Sequence, residues 1–176
     1  MSVAAPTARR DEIVAAALDI LQTEGPEHLT MRALAERLHI RAPSLYKHVA
    51  DKDELRALLI AEALRQMGEA LHGASLTTKT PRKRALTSLA AAYRSWALAN
   101  PHLYRLGTEG ELPRDRLPEG LEAWTAEPLV SVMGSEAGAR AAWAFAHGMT
   151  ILELDRRFPA GADLDAAWAA GVAALA

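Results

Sequence analysis

Polar side chains gather on one side of a very short predicted helix near the N-terminus, at residues 43–48. Leu45 and Val49 are four residues apart and are expected to face inward together. The remaining residues then face outward or to one side: Ser44, Tyr46, Lys47 and His48. A helix with such a face can enter the major groove of DNA, which is about 12 Å wide. An ordinary helical hairpin with a solvated face fits the same spacing, so both interpretations stay open at this point.

No group of residues in the sequence has a spacing typical of catalysis. The histidines at positions 28, 39, 48, 72, 102 and 147 are never three or four apart, which excludes a helical zinc pair. The sequence contains no Gly-x-Ser-x-Gly, no Walker lysine loop and no cysteine nucleophile. The charged residues at 153–157 are explained by an exposed helix end. We therefore predict that the protein is not an enzyme and needs no metal or cofactor.

Composition restricts the class of protein further. The chain has 176 residues, of which 50% are hydrophobic and 24% charged, as expected for one globular domain or two small ones. Its net charge of −2 excludes a positive field over the whole molecule, so contacts with an anionic partner must be local. Without cysteine, the core alone must hold the fold. Residues 1–8 lack a signal pattern and no stretch is long and apolar enough to span a membrane, so we predict a cytoplasmic protein.

The chain is predicted to be all-α, because alanine and leucine dominate and no run alternates between apolar and polar residues. Thr30 and Asp51 are expected to cap helices, and Pro128 is expected to kink or split one. Residues 107–118, which contain two glycines and two prolines, are expected to form a loop. Helices are predicted at residues 7–24, 30–39, 43–48, 51–71, 81–100, 119–133, 136–158 and from 163 onward.

Residues 29–35 (Leu-Thr-Met-Arg-Ala-Leu-Ala), 43–49 (Pro-Ser-Leu-Tyr-Lys-His-Val) and 51–55 (Asp-Lys-Asp-Glu-Leu) carry a resemblance to a known family. Together they are similar to the DNA-binding domain of the TetR family of transcriptional regulators, over about residues 7–55. The resemblance implies a three-helix helix-turn-helix domain followed by a helical ligand-binding and dimerisation domain. With the polar stretch at 73–81 as a linker, it predicts a DNA-binding domain at 1–50, a connecting helix at 51–72 and a regulatory domain at 73–176.

The resemblance also implies roles for individual residues. Tyr46, His48 and Lys52 would hold phosphates, whereas Arg32 and residues 41–47 would approach base edges. The predicted DNA-binding residues are Thr30, Arg32, Arg41, Ala42, Pro43, Ser44, Tyr46, Lys47, His48 and Lys52.

Two features depart from the expected pattern. His39 stands in the turn where the family usually has glycine; a left-handed backbone is costly for most residues but tolerated by histidine. Residues 1–50 contain six basic and six acidic residues, so this domain is not basic. Binding must then depend on a few well-placed contacts and on two copies acting together.

The second half contains a helix with two apolar faces, at residues 136–158, which must be covered on both sides. One side can meet the preceding helices and the other a second subunit, with the alanine-rich last helix joining that contact. The pattern Trp-x-x-x-His-Gly at 143–148, with Tyr-Arg-x-Trp at 93–96 and Asn-Pro-x-x-Tyr at 100–104, resembles the WHG-type C-terminal domain of one TetR subgroup.

Together these resemblances imply a homodimer that binds a palindromic operator, acts as a repressor and is released by a small hydrophobic or amphipathic effector. The candidate pocket residues are Met67, Tyr93, Trp96, Tyr104, Trp124, Trp143 and His147. Each of them is also compatible with a plain core position, and His147 with a buried histidine bonded to a carbonyl. The alternative function is a helical protein-protein interaction module without DNA binding.

Overall fold

The computed structural model describes residues 6–75, 77 and 79–176. Over these residues the secondary structure is helical and contains no strand, which confirms the all-α prediction. The α-helices are α1 (Pro6–Thr23), α2 (Met31–Arg37), α3 (Ala42–Leu45), α4 (Lys52–Ala74), α5 (Arg82–Ala99), α6 (Pro101–Thr108), α7 (Leu121–Met133), α8 (Glu136–Leu154) and α9 (Leu164–Leu175). Short 3₁₀ turns lie at Pro26–His28 and Arg114–Arg116.

Side-chain caps fix the beginnings of several helices. Thr30 accepts a hydrogen bond from the amide of Ala33 at 3.1 Å, and Asp51 accepts one from Glu54 at 2.7 Å. Ser135 and Asp163 cap α8 and α9 in the same way. These bonds satisfy amide groups that have no partner within the helix.

Some predicted boundaries are wrong. The predicted helix at 43–48 is shorter, because regular α-helix ends at Leu45. Residues 107–118 are not all loop: α6 continues to Thr108, and a 3₁₀ turn forms at 114–116. Pro101 ends α5 as expected, but it also stands first in α6, where its missing N–H costs nothing. Pro128 lies inside α7, which continues to Met133 as one helix.

The helices form two compact units. The first contains the described residues up to Ala63 together with His102–Pro118, and the second contains Leu64–Pro101 and Glu119–Ala176. Helix α4 contributes residues to both. The predicted division at 1–50, 51–72 and 73–176 stays a prediction. Part of its linker, Leu76 and Thr78, lies outside the described residues.

Each unit has its own apolar core. The fully buried side chains of the first unit include Ile13, Ile20, Leu21, Leu34, Leu45, Val49, Leu59, Ile60, Leu103 and Tyr104. Those buried in the second include Leu71, Leu86, Leu89, Tyr93, Ala142, Ala146, Thr150, Trp168 and Val172. No helix in the described part of the chain is long and apolar enough to cross a membrane.

Candidate nucleic-acid interface

The turn between α2 and α3 is closed by two backbone hydrogen bonds. The amide of Ile40 donates to the carbonyl of Ala35 at 3.0 Å, and that of His39 donates to Glu36 at 3.1 Å. Together they form a Schellman motif, which needs a left-handed residue directly after the helix cap. His39 takes that position with φ 53°. The expectation that histidine can replace glycine in this turn is confirmed.

The short helix α3 is held by its apolar side. Leu45 and Val49 are completely buried, and the amides of His48 and Val49 both donate to the carbonyl of Leu45, at 2.9 and 3.1 Å. The chain therefore stays coiled past the end of α3. Tyr46 is 50% exposed, an unusual position for a large aromatic side chain. Arg41, Pro43 and Lys47 are also exposed, whereas Ala42, Ser44 and His48 are half-buried.

Lys52 stands exposed in the first turn of α4. The helix begins there because Asp51 caps it, while Glu54 accepts a hydrogen bond from the amide of Ala50 at 2.7 Å. A lysine in this turn is unfavourable toward the positive end of its own helix dipole. A nearby anion would remove that penalty.

Ion pairs neutralise most cations of the first fifty residues. Arg9 pairs with Glu12 at 2.5 Å, Arg10 with Glu54, and Arg37 with Asp19 and Glu24; Arg32 donates to Glu36 at 2.9 Å. Arg41, Lys47 and Lys52 have no such partner anywhere in the described part of the chain. Among the described residues up to Lys52, the uncompensated positive charge therefore lies on the turn before α3, directly after α3 and at the start of α4. An electrically balanced unit can in this way still present a basic surface.

Arg32 is exposed to solvent but already paired with a carboxylate. Its side chain is 89% exposed, so it is accessible, and its hydrogen bond to Glu36 raises its pKa. To contact a base edge, Arg32 must give up Glu36 as its partner. Sequence reasoning missed Glu36, although its position four residues after Arg32 on one helix is a recognisable signal.

One of the predicted ligand residues lines a cavity. The second unit contains a cavity of about 10 Å³, room for about one water molecule, and of the predicted residues only Tyr93 lines it. Met67 is buried elsewhere in this unit, Trp96 and His147 are half-buried, and Trp143 is 47% exposed. Tyr104 is completely buried in the first unit.

Trp124 lies on the surface of the second unit, 39% exposed. Its ring stacks on that of His72 at 4.7 Å between centroids, and its carbonyl is 3.0 Å from Nε2 of His72. The ring also lies against Gly68, where a Cβ atom would be 2.2 Å away. Trp124 thus packs α7 against the second-unit part of α4.

Arg94 ties three helices of the second unit together. It donates to both carboxylate oxygens of Glu153, at 2.9 and 2.8 Å, and to Asp165 at 2.6 Å. Trp168 donates to Glu153 at 3.4 Å and lies beneath the guanidinium group. The hydrogen bonds to Glu153 are the largest cause of a raised pKa for Arg94. This network joins α5, α8 and α9.

Two family models match the chain. Residues 13–59 match the model described as bacterial regulatory proteins, tetR family, and residues 86–175 match the tetracyclin repressor-like C-terminal domain. An uncharacterised helix-turn-helix-type transcriptional regulator of Mycobacterium tuberculosis is 34% identical over 164 residues, which cover 87% of this chain and 74% of that protein. The class E tetracycline repressor of Escherichia coli is 45% identical over 49 residues, 28% of this chain and 23% of that repressor.

Solved structures share the fold over nearly the whole chain. A TetR variant from Acinetobacter baumannii, crystallised with minocycline, is 24% identical with a TM-score of 0.69, covering 94% of this chain and 92% of that one. BioQ, crystallised with its double-stranded DNA operator, is 24% identical with a TM-score of 0.66, covering 94% of this chain and 96% of that one.

Proposed function

The chain belongs to the TetR family of transcriptional regulators, and we propose that it is a repressor that binds a palindromic operator as a homodimer and is released by a small-molecule effector. The observation that carries the DNA-binding part is the charge distribution of the first unit. Arg41, Lys47 and Lys52 are exposed and unpaired in the described part of the chain; they lie on the turn before α3, directly after α3 and at the start of α4.

In this proposal the side chains divide into two groups. Tyr46, His48 and Lys52 hold phosphates and fix the position of the short helix on the duplex. Arg32, released from Glu36, and the residues from Arg41 to Lys47 approach base edges in the major groove. Thr30 contributes as the cap that orients α2. The solved complex of BioQ with its operator supports such a use of the fold.

A second copy of the chain is proposed to cover α8 and α9. Three small residues on one stripe of α8, Ala137, Ala141 and Ala144, are exposed and spaced three or four apart, and the exposed Leu152 follows eight residues later on the same stripe. Helix α9 likewise exposes Ala166, Ala169, Ala170, Ala173 and Ala174. Small side chains let helices approach closely, and Leu152, 41% exposed, supplies an apolar contact. A two-fold dimer would place two reading helices on half-sites about one helical turn, 34–36 Å, or a multiple apart.

Effector release requires only differential affinity. A ligand that binds better to a conformation unable to engage both half-sites shifts the population away from DNA. The minocycline complex of the related A. baumannii protein supports a ligand in this fold. A cytoplasmic location, as required for access to DNA, belongs to the same proposal.

The decisive experiment is selection of bound duplexes from a random pool, followed by a gel shift at several salt concentrations. We expect a two-fold symmetric site and an affinity that falls steeply with salt, because phosphate contacts release counterions. Absence of salt-sensitive DNA binding would overturn the proposal and favour the protein-protein interaction module.

A further inference from the structure

The second unit has a small cavity enclosed by apolar side chains. Leu86, Leu89 and Tyr93 of α5 line it, as do Ala142, Phe145 and Ala146 of α8. No charged residue lines it, and Tyr93 is the one lining residue with a polar group. Larger apolar cavities with such a lining stay dry and accept apolar molecules.

A hydroxyl without a hydrogen-bond partner lies one helical turn beyond this cavity. Thr150 follows Ala146 by four residues, so the two share a face of α8. Its side chain is completely buried, and its Oγ1 has no hydrogen-bond partner among the described residues. A buried hydroxyl in that state is costly.

Other helical threonines in this chain avoid that cost. Their hydroxyls donate to the carbonyl four residues earlier: Thr23 to Asp19 at 2.7 Å, Thr87 to Lys83 at 2.8 Å, Thr108 to Tyr104 at 2.8 Å and Thr125 to Leu121 at 2.9 Å. The same local bond is the usual choice for threonine in a helix. Thr150 instead keeps its hydroxyl available.

We propose that the cavity is a ligand site and that its ligand is a small, uncharged, mainly apolar molecule whose single polar group bonds with the hydroxyl of Thr150. This inference rests on the proposed function, because it names the chemical class of the effector. A charged ligand would be desolvated there without a counter-charge, since Arg94, Glu153 and Asp165 satisfy one another. The cavity must expand on binding; Phe145 and Leu175, which line it and are only half-buried, can move outward.

The test compares three ligands that share one ring: toluene, benzyl alcohol and benzoate. Binding is measured by calorimetry and by thermal melting of the purified full chain without DNA. We expect the wild type to bind toluene and benzyl alcohol but not benzoate. Thr150→Val replaces the hydroxyl by a methyl group of similar size. It should lower the affinity for benzyl alcohol about tenfold and change the affinity for toluene by no more than about twofold.

The free protein supplies a second readout with a matched control. Thr150→Val should raise the melting temperature by about 2–4 °C, because an unsatisfied hydroxyl is lost. Thr125→Val should lower it, because the hydroxyl of Thr125 also donates to Leu64 at 3.0 Å. Ala146→Val, which fills the cavity, should lower the affinities for toluene and benzyl alcohol alike.

Three results would each overturn the inference. Benzoate could bind as tightly as benzyl alcohol, Thr150→Val could lower the affinities for toluene and benzyl alcohol equally, or none of the ligands could bind. A separate gel shift with the bound ligand tests release from DNA. Binding without release would contradict the effector part of the proposed function and leave the ligand site standing. Operator binding without binding of any of the three ligands would contradict the ligand site and leave the DNA-binding part of the proposed function standing.

Discussion

At the scale of single residues, Lys52 is proposed to contribute to DNA binding by a domain without net positive charge. It has no ion-pair partner in the described part of the chain, and it stands where its own helix disfavours a cation. We expect Lys52→Ala to weaken binding to all duplexes alike and to reduce the slope of log affinity against log salt by about one. Lys79→Ala is the control, because it removes the same charge from an exposed position in the second unit. Equal effects of the two variants in a salt-titrated gel shift would remove Lys52 from the interface.

In the proposed interface, Glu36 would compete with DNA for Arg32. Glu36→Gln should free Arg32 and remove a negative charge from α2, so operator affinity should rise several-fold, in the direction expected for loss of like-charge repulsion. Arg32→Ala should instead relax discrimination at one base pair, by about 1–3 kcal/mol if the contact is bidentate. Glu69→Gln breaks a pair of the same spacing, with Arg65, in the second unit and serves as the control. Affinity unchanged in Glu36→Gln would show that Arg32 does not approach DNA.

His39 carries the backbone strain of the turn. Glycine adopts a positive φ freely, but it also gains entropy in the unfolded chain. His39→Gly should therefore leave the free energy of unfolding unchanged or raise it by up to about 1 kcal/mol, whereas His39→Val should lower it by about 1–2 kcal/mol. Urea unfolding of both variants measures this. A glycine variant as unstable as the valine variant would contradict the assignment of strain to φ.

At the scale of elements, the sequence predicted long helices better than short ones. The 19-residue helix α8 has apolar residues on recurring faces; it begins at the predicted Glu136 but ends at Leu154, four residues before the predicted end at 158. Helix α6 has eight residues directly after a proline, and the proline was interpreted only as the end of α5. Helix α3 has too few residues for a periodic pattern, and its end depends on the burial of Leu45 and Val49.

The candidate sites differ in predictability for a related reason. Eight of the ten predicted DNA-binding residues lie within residues 41–52, so local spacing is enough to group them, whereas Thr30 and Arg32 belong to α2 and its cap. The cavity that we propose as the ligand site depends on which faces of α5, α8 and α9 meet, and of the predicted ligand residues only Tyr93 lines it. The cavity is lined mainly by alanine, leucine and Phe145, and the unpaired state of Thr150 exists only in the folded chain.

The packing of α5 against α8 and α9 depends on Arg94. Arg94→Met leaves Glu153, whose side chain is 14% exposed, without its main partner. We expect the free energy of unfolding to fall by about 2 kcal/mol, less than for a fully buried pair because part of the charge remains hydrated. Arg140→Met breaks a pair with Glu136 whose side chains are both 72% exposed, and should cost less than about 0.5 kcal/mol. Equal losses in urea unfolding would mean that the network contributes nothing beyond a surface pair.

At the scale of the whole molecule, the proposed mechanism depends on two copies, because the three unpaired cations of the proposed interface, Arg41, Lys47 and Lys52, would bind a duplex only weakly. Linking two reading helices in one dimer makes the second contact intramolecular and raises affinity without any new contact. The proposed dimer would in turn bury Leu152, an exposed apolar side chain on the small-residue face of α8. In this proposal the charge distribution of the first unit and the exposed face of the second serve the same function.

Leu152→Glu tests this dependence. A carboxylate at the proposed interface would be buried without a partner, so the dissociation constant of the dimer should rise at least tenfold, or about 1.4 kcal/mol. Affinity for a full palindrome should then approach that for a single half-site, while the helical content stays unchanged. Leu98→Glu places the same charge at a comparably exposed position, 36%, on α5 and should leave the dimer intact. Sedimentation and gel shifts on full and half operators measure both effects; a dimeric Leu152→Glu protein with undiminished palindrome affinity would place the subunit contact elsewhere.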